Sequence, residues 1–392
     1  MRARLIAPML PFFLATSLLA CSAEESTDKG TGGGANAGTP GTSTNGALSD
    51  GGGVTPIAPD DGPPAGNADG KCVVPVEAQA EDSSKPRTVV GTGTPESCTG
   101  DAFVAAVAKG GAITFNCGAA PTTITLTATA KIFNNTGPKI VIDGGGKITL
   151  SGGGKVRILY QNACDKAQVW TSPDCNNQPD PQLTLQNLTL KDGNAKGLEA
   201  GDNTGGGGAV YVRGGRLKIV NCRFFNNVCD DLGSDVGGGA VRVLDHPKGG
   251  SESRPVYVVG STFGGKAGYG NTCANGGALS SIGTSYSLYN SVFSDNRAIG
   301  HGANSGQGGN GGAIYNDGNT FSLKLCGDLL EDNKANEGGS AIFFVSNDRT
   351  GSLTIDQSTL RRNPKGTFET AGFPGLYVLA KSPPAVTNST IQ

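Results

Sequence analysis

The chain has 392 residues, 64 of them Gly, with 6% aromatic and 16% charged residues and a formal net charge of -2. Glycine in a helix interior costs about 1 kcal/mol relative to alanine, so a mostly helical protein is excluded, and the missing three-residue period excludes collagen. The near-neutral charge provides no basic surface for nucleic acid, and only His246 and His301 are available for histidine chemistry.

Residues 1–20 have the anatomy of an export signal: Arg2 and Arg4, then an apolar stretch, then small residues. Pro8 and Pro11 and the short apolar length argue against a spanning helix. The end of the stretch, Leu18-Leu19-Ala20-Cys21, resembles a bacterial lipobox, which implies that Cys21 becomes the lipidated first residue of the mature chain. Ser22 is similar to the residue found there in outer-membrane lipoproteins, so the expected location is the outer membrane or cell surface. Residues 21–71 contain no aromatic residue and almost no large apolar one, and such a segment buries too little surface to offset its ordering entropy. The composition predicts a loose tether with a reach of roughly 40 Å.

Residues 72–111 are expected to form a cap segment. Within it, SCTGDAFVAAVAKGG (97–111) predicts the chain's one convincing helix, capped by Thr99, with Phe103, Val104 and Val107 on one face and Gly110 as its stop. Alternating runs then follow: AITFN (112–116), TITLT (123–127), KIVIDGGGKITLSG (139–152) and VRILY (156–160).

From residue 183 a two-part unit recurs. Its first part is GGAVYV (207–212), GGAVRV (238–243), GGALSS (276–281), GGAIYN (311–316), GSAIFF (339–344) and, more loosely, PGLYVL (374–379). The second part carries the anchors Leu190, Phe224, Phe263, Phe293, Leu330, Leu360 and Ile391, spaced by 34, 39, 30, 37, 30 and 31 residues. Period-two runs in units of this length predict an all-β solenoid, a right-handed parallel β-helix over residues 112–392 with an N-terminal capping helix. A β-propeller is the rival, but it needs four strands per unit. The aliphatic position after GGA (Val210, Val241, Leu279, Ile314, Ile342, Leu376) is expected inside. Asn187, Asn221, Asn290 and Asn388, and a second set Asn227, Asn296, Asn333 and Asn363, are expected at left-handed turns or in stacked ladders. The last run, PAVTNSTI (384–391), is expected to be an uncovered end that frays or pairs with another copy.

The combination of GGA(I/L/V) with a run ending F-x-x-N, as in FFNN (224–227) and FSDN (293–296), resembles the repeat of the chlamydial polymorphic outer-membrane proteins. The stretch GTPESCTGDAFVAAV…GGAITFNCG…IVIDGGGKITLSGGG resembles the start of right-handed β-helix proteins of the pectate-lyase-like superfamily. These resemblances span residues 90–391 and imply the fold rather than an activity.

Nine cysteines remain after Cys21. Cys98 with Cys117 and Cys164 with Cys175 are expected disulfides; the partners of Cys72, Cys222, Cys229, Cys273 and Cys326 stay open, with Cys229 able to take Cys222 or Cys273. The absence of CxxC speaks against a metal site, and no cofactor is expected.

For catalysis, Gly300-His301-Gly302 matches a piece of the polygalacturonase signature. However, the nearest Asp pair, Asp230-Asp231, lies 70 residues upstream and no Arg-x-Lys follows. Outward positions next to the inner aliphatic row carry Tyr211, Arg242, Ser280, Tyr315, Phe343 and Tyr377, an expected exposed stripe for stacking sugars or a partner. Generic β-propensity of aromatics is the competing explanation. Trp170, in the Cys164–Cys175 loop, is a further candidate contact. The expected function is that of a surface lipoprotein acting in binding, adhesion or envelope architecture, with a polysaccharide lyase or glycoside hydrolase as the alternative. Expected partners are the membrane, through lipid, and a polysaccharide or surface protein.

Overall fold

The computed structural model describes residues 62–198, 205–244 and 255–392, all within one compact unit, Gly46–Gln392. The export signal and Cys21 lie outside the described residues, as do His246 and most of the tether.

Short strands stack in parallel register on three faces, two of which are joined by a corner within one hydrogen-bonded network. The first face is an eight-stranded sheet: Ala130–Ile132, Leu159–Asn162, Val210–Arg213, Val241–Leu244, Leu279–Ile282, Ile314–Gly318, Ile342–Ser346 and Leu376–Leu379. Thr272–Cys273, Arg297–Ala298 and Lys334–Ala335 form a small separate sheet, and the remaining strands form one 17-stranded network, because Lys139–Ser151 and Gln182–Lys191 turn the corner and contribute to both a second and a third face. The second face includes Arg216–Val220, Val256–Val259, Tyr286–Tyr289, Ser322–Cys326 and Ser352–Asp356. The third includes Arg223–Phe225, Thr262–Gly264, Val292–Ser294, Leu329–Glu331 and Thr359–Arg361. The chain is an all-β parallel solenoid, a β-helix.

Alternation along each strand builds the core. Val210, Val241, Leu279, Ile314, Ile342 and Leu376 pair rung to rung and are all fully buried. Each such side chain contributes roughly 1.5–3 kcal/mol by leaving water. Phe224, Phe263 and Phe293 stack with centroids 4.5 and 4.8 Å apart. Helix α1, Gly100–Lys109, is capped by Thr99, whose hydroxyl accepts from Ala102 N, and it stops at Gly110 with φ 67°. It buries Phe103, Ala106 and Val107 against the first coil.

The corner between second and third faces needs a left-handed residue. Asn187, Asn221, Asn290 and Asn388 supply it with φ of 54°, 50°, 51° and 49°, since asparagine tolerates this region better than most L-residues. The second asparagine set forms a buried ladder in which each Nδ2 donates to the next Oδ1: Asn227 to Asn271 at 2.9 Å, Asn271 to Asn296 at 2.9 Å, Asn296 to Asn333 and Asn333 to Asn363, both at 3.0 Å. Asn271, which sequence spacing does not single out, completes it.

A strap, residues 62–87, lies on the outside of the coils: residues 62–72 advance from the coil of Thr262 to that of Cys326, and residues 73–87 return past Lys218 and Lys139 to Ala112. Thr262 Oγ1 accepts from Gly66 N and donates to Pro64 O, and Asn67 N donates to Asn290 O. Glu81 bridges Lys218 and Lys139, and Arg87 leads into Thr88–Val90, which pairs with Gly111–Phe115. Close packing explains the glycine at position 66 of the strap and at Gly327 of the corner column, whereas Gly260 supplies a left-handed corner with φ 52°. A Cβ on Gly66 would lie 2.9 Å from Gly260 backbone, and one on Gly327 would lie 2.2 Å from Asn290 Oδ1. The expected tether boundary at residue 71 is therefore corrected: residues 62–71 are held on the coils by hydrogen bonds that composition does not reveal.

Cys98–Cys117 and Cys164–Cys175 are disulfides as expected. Cys229 pairs with Cys273 rather than Cys222, because both sit on adjacent coils, and Cys72 on the strap pairs with Cys326. Cys222 is a buried thiol. It occupies a column with Ser261, Ser291, Asp328, Ser358 and Ser389, where each Oγ or Oδ1 accepts an N–H from the preceding coil.

Candidate functional site

The expected outward stripe, Tyr211, Arg242, Ser280, Tyr315, Phe343 and Tyr377, exists as a column in register, and the structure adds Tyr160 one coil before it. Its rings stack, Tyr160 on Tyr211 at 5.3 Å, Tyr315 on Phe343 at 5.2 Å and Phe343 on Tyr377 at 5.1 Å. It is not an exposed platform. Tyr211, Arg242, Ser280, Tyr315 and Phe343 are all buried, and only Tyr377 is half-buried.

The cover comes from the chain itself. Arg157 lies 4.9 Å above the Tyr211 ring and donates from Nε and Nη2 to Gly207 O and Gly206 O. Gly237 packs against the Ser280 hydroxyl so closely that a Cβ would sit 2.5 Å from it. Asn304, from the loop after His301, donates to Tyr315 Oη at 3.3 Å and to Asp317 Oδ2 at 2.9 Å, while the Tyr315 hydroxyl donates to that same carboxylate oxygen. Phe368 meets Tyr377 edge-on. Burial lifts the Asp317 carboxyl above its usual range, against N–H and O–H donors that favour its ionised form. Period-two alternation separates the inside of a coil from its outside, but it cannot say that loops fold back over the outside.

The residues considered for catalysis are engaged in loop contacts. His301 is exposed, with Nδ1 3.4 Å from Asn336 Nδ2. Neighbouring Glu337 accepts from Thr367 Oγ1 and, at 2.8 Å, from Gly302 N, and these two hydrogen bonds hold its carboxyl below the usual range. Asp230 Oδ1 accepts from Gly197 N, and Asp231 pairs with Lys196. Among the described residues, the one set of three Cys, Asp, Glu or His groups with ligand atoms within 4.8 Å of one another is Cys72, Cys326 and Asp356. Two of these are joined as a disulfide and offer no thiolate.

Trp170 remains at the surface, 45% exposed beside Val169 at 43%. Their loop is rigidly braced. Cys164–Cys175 closes it, and Asn134 N and Nδ2 donate to Gln168 O and Val169 O. Thr171 Oγ1 donates to Ala163 O, and Arg213 Nε donates to Asn176 Oδ1. Lys166 Nζ lies 5.7 Å from the indole centroid.

Comparison with known proteins gave no match: no protein-family model, curated protein or solved structure aligns significantly with this chain.

Proposed function

We propose that the chain is an exported, lipid-anchored β-helical rod that acts by binding, in adhesion or envelope architecture, with a polysaccharide or a surface protein as partner. The observation that carries this reading is the use made of the polar residues on the loop side: His301, Glu337, Asp230 and Asp231 each brace one loop against another. A hydrolase needs a carboxyl pair free to face a sugar bond. The lipobox at Cys21 and the four disulfides fit an exported protein. The repeat resemblance to the chlamydial polymorphic outer-membrane proteins and the pectate-lyase-like superfamily supports a surface role.

The test is to incubate residues 22–392 with a panel of acidic and neutral polysaccharides and to follow retention and new chain ends together. Retention without new ends is expected; release of oligosaccharides would instead favour the lyase or glycoside hydrolase. For the anchor, Cys21→Ser is expected to move the protein from washed membranes into the soluble fraction, and retention of the variant would refute lipidation.

A further inference from the structure

We infer that the Cys164–Cys175 loop is a preorganised binding site for an anionic polysaccharide, with Trp170 as its stacking surface and Lys166 as its cation. The inference rests on the binding reading above and gives it a place and a ligand chemistry. Val169 is a β-branched residue with φ 67°, a strained backbone state that persists only where surroundings enforce it. Here the enforcement is visible, because the carbonyls of Gln168 and Val169 are both held by Asn134. The result of this constraint is to hold two apolar side chains, Val169 and Trp170, out in water, in a protein whose other outward aromatic column is covered.

Ligand class follows from size and charge. A stable protein interface needs about 800 Å² from each partner, far more than two half-exposed side chains supply. One sugar ring is matched in area to one indole face, and its C–H groups suit that face. Lys166 lies over one face of the indole, leaving a sugar the opposite face, and it has no ion-pair partner among the described residues, so a uronate carboxylate or sulfate can take that place. Because the loop is already ordered, little entropy is lost on docking.

The single tryptophan of the chain makes the test local. Residues 22–392 are titrated with polygalacturonate, alginate and neutral laminarin, following tryptophan emission and, separately, retention in affinity gels. Expected are a blue shift with the uronate polymers, about tenfold weaker retention for Trp170→Ala, and a several-fold loss for Lys166→Gln that shrinks at high salt. Circular dichroism of both variants should match the parent. Retention of a polymer without any change in tryptophan emission, or undiminished in Trp170→Ala, would overturn this site and leave the binding function standing. If no polymer is retained and none shifts the emission, the site is overturned and carbohydrate is removed from the proposed function as well, leaving a protein partner.

Discussion

Asn290 holds Cys72 by both of its backbone polar groups: Oδ1 accepts the Cys72 N–H at 3.0 Å, and Nδ2 donates to the Cys72 carbonyl at 2.9 Å. The same asparagine turns the corner between the second and third faces with φ 51°. One side chain thus shapes its own coil and docks a segment 218 residues away.

Asn290→Ala is therefore expected to loosen the strap while the coils stay folded. Two buried hydrogen bonds at about 1 kcal/mol each, plus the strain of alanine at positive φ, put the cost at roughly 2–4 kcal/mol. Hydrogen exchange should accelerate in residues 62–80 and remain slow in residues 207–225. Equal acceleration in both regions would show that strap and coils unfold as one unit.

Asp328 should make stability depend on pH. It replaces the serine of its column and is fully buried, and burial pushes its carboxyl up to about 8 although Ser291 N and Cys326 N donate to it. The unfolded chain releases this proton near pH 4, so between about pH 4 and 8 the folded state binds the extra proton. Stability from this group is accordingly full below pH 4 and falls as pH rises to about 8. Asp328→Ser lacks the effect. Unfolding free energies from urea titrations at pH 5 and pH 8 should diverge in favour of the variant at the higher pH, by an amount on the order of a few kcal/mol. Parallel free energies for the two proteins would contradict a buried, protonated Asp328.

Cys222 is the thiol left after four disulfides among the described residues, and burial pushes it up to about 12. Its Sγ donates to Val220 O as Ser261 Oγ donates to Val259 O one coil on. A body starting after Cys21 should react with no equivalent of Ellman's reagent when native and with one when unfolded without reductant. Cys222→Ser should fold with a loss below about 1.5 kcal/mol, in keeping with a change that conserves volume and the donor. Reaction of the native protein would place this thiol nearer the surface.

Leu279 and Tyr315 test the two layers of the first face. Leu279→Asp puts an unpaired charge in the coil interior, which is expected to abolish folding. Tyr315→Ser removes a ring stacked on Phe343 and leaves the Asp317 carboxylate with fewer donors. A loss of about 3 kcal/mol is expected, in line with other large-to-small changes of buried aromatics. Sheet circular dichroism at 25 °C should vanish for the first variant and persist, with a lower melting temperature, for the second. A melting temperature unchanged by Tyr315→Ser would mean that the outer layer contributes nothing to stability.

What the residue order determined by itself was everything that repeats. Stacking puts like residues on like, so the inward row from Val210 to Leu376, the Phe224–Phe263–Phe293 column, the asparagine corners and the capping helix at Thr99 could be read from spacing and alternation. The two disulfides of short span were legible for a related reason, since 19 and 11 residues leave little choice of partner. Only the tertiary structure decided what lies outside the coils, where no period applies. The strap reaches Asn290 and Cys326 across more than 200 residues, Cys229 selects Cys273 because one coil rise brings them together, and loops cover Tyr211 and Tyr315 while leaving Trp170 in water. Local pattern encodes which way a side chain points from its own strand; whether another segment then packs over it depends on loop paths set by the whole assembled rod.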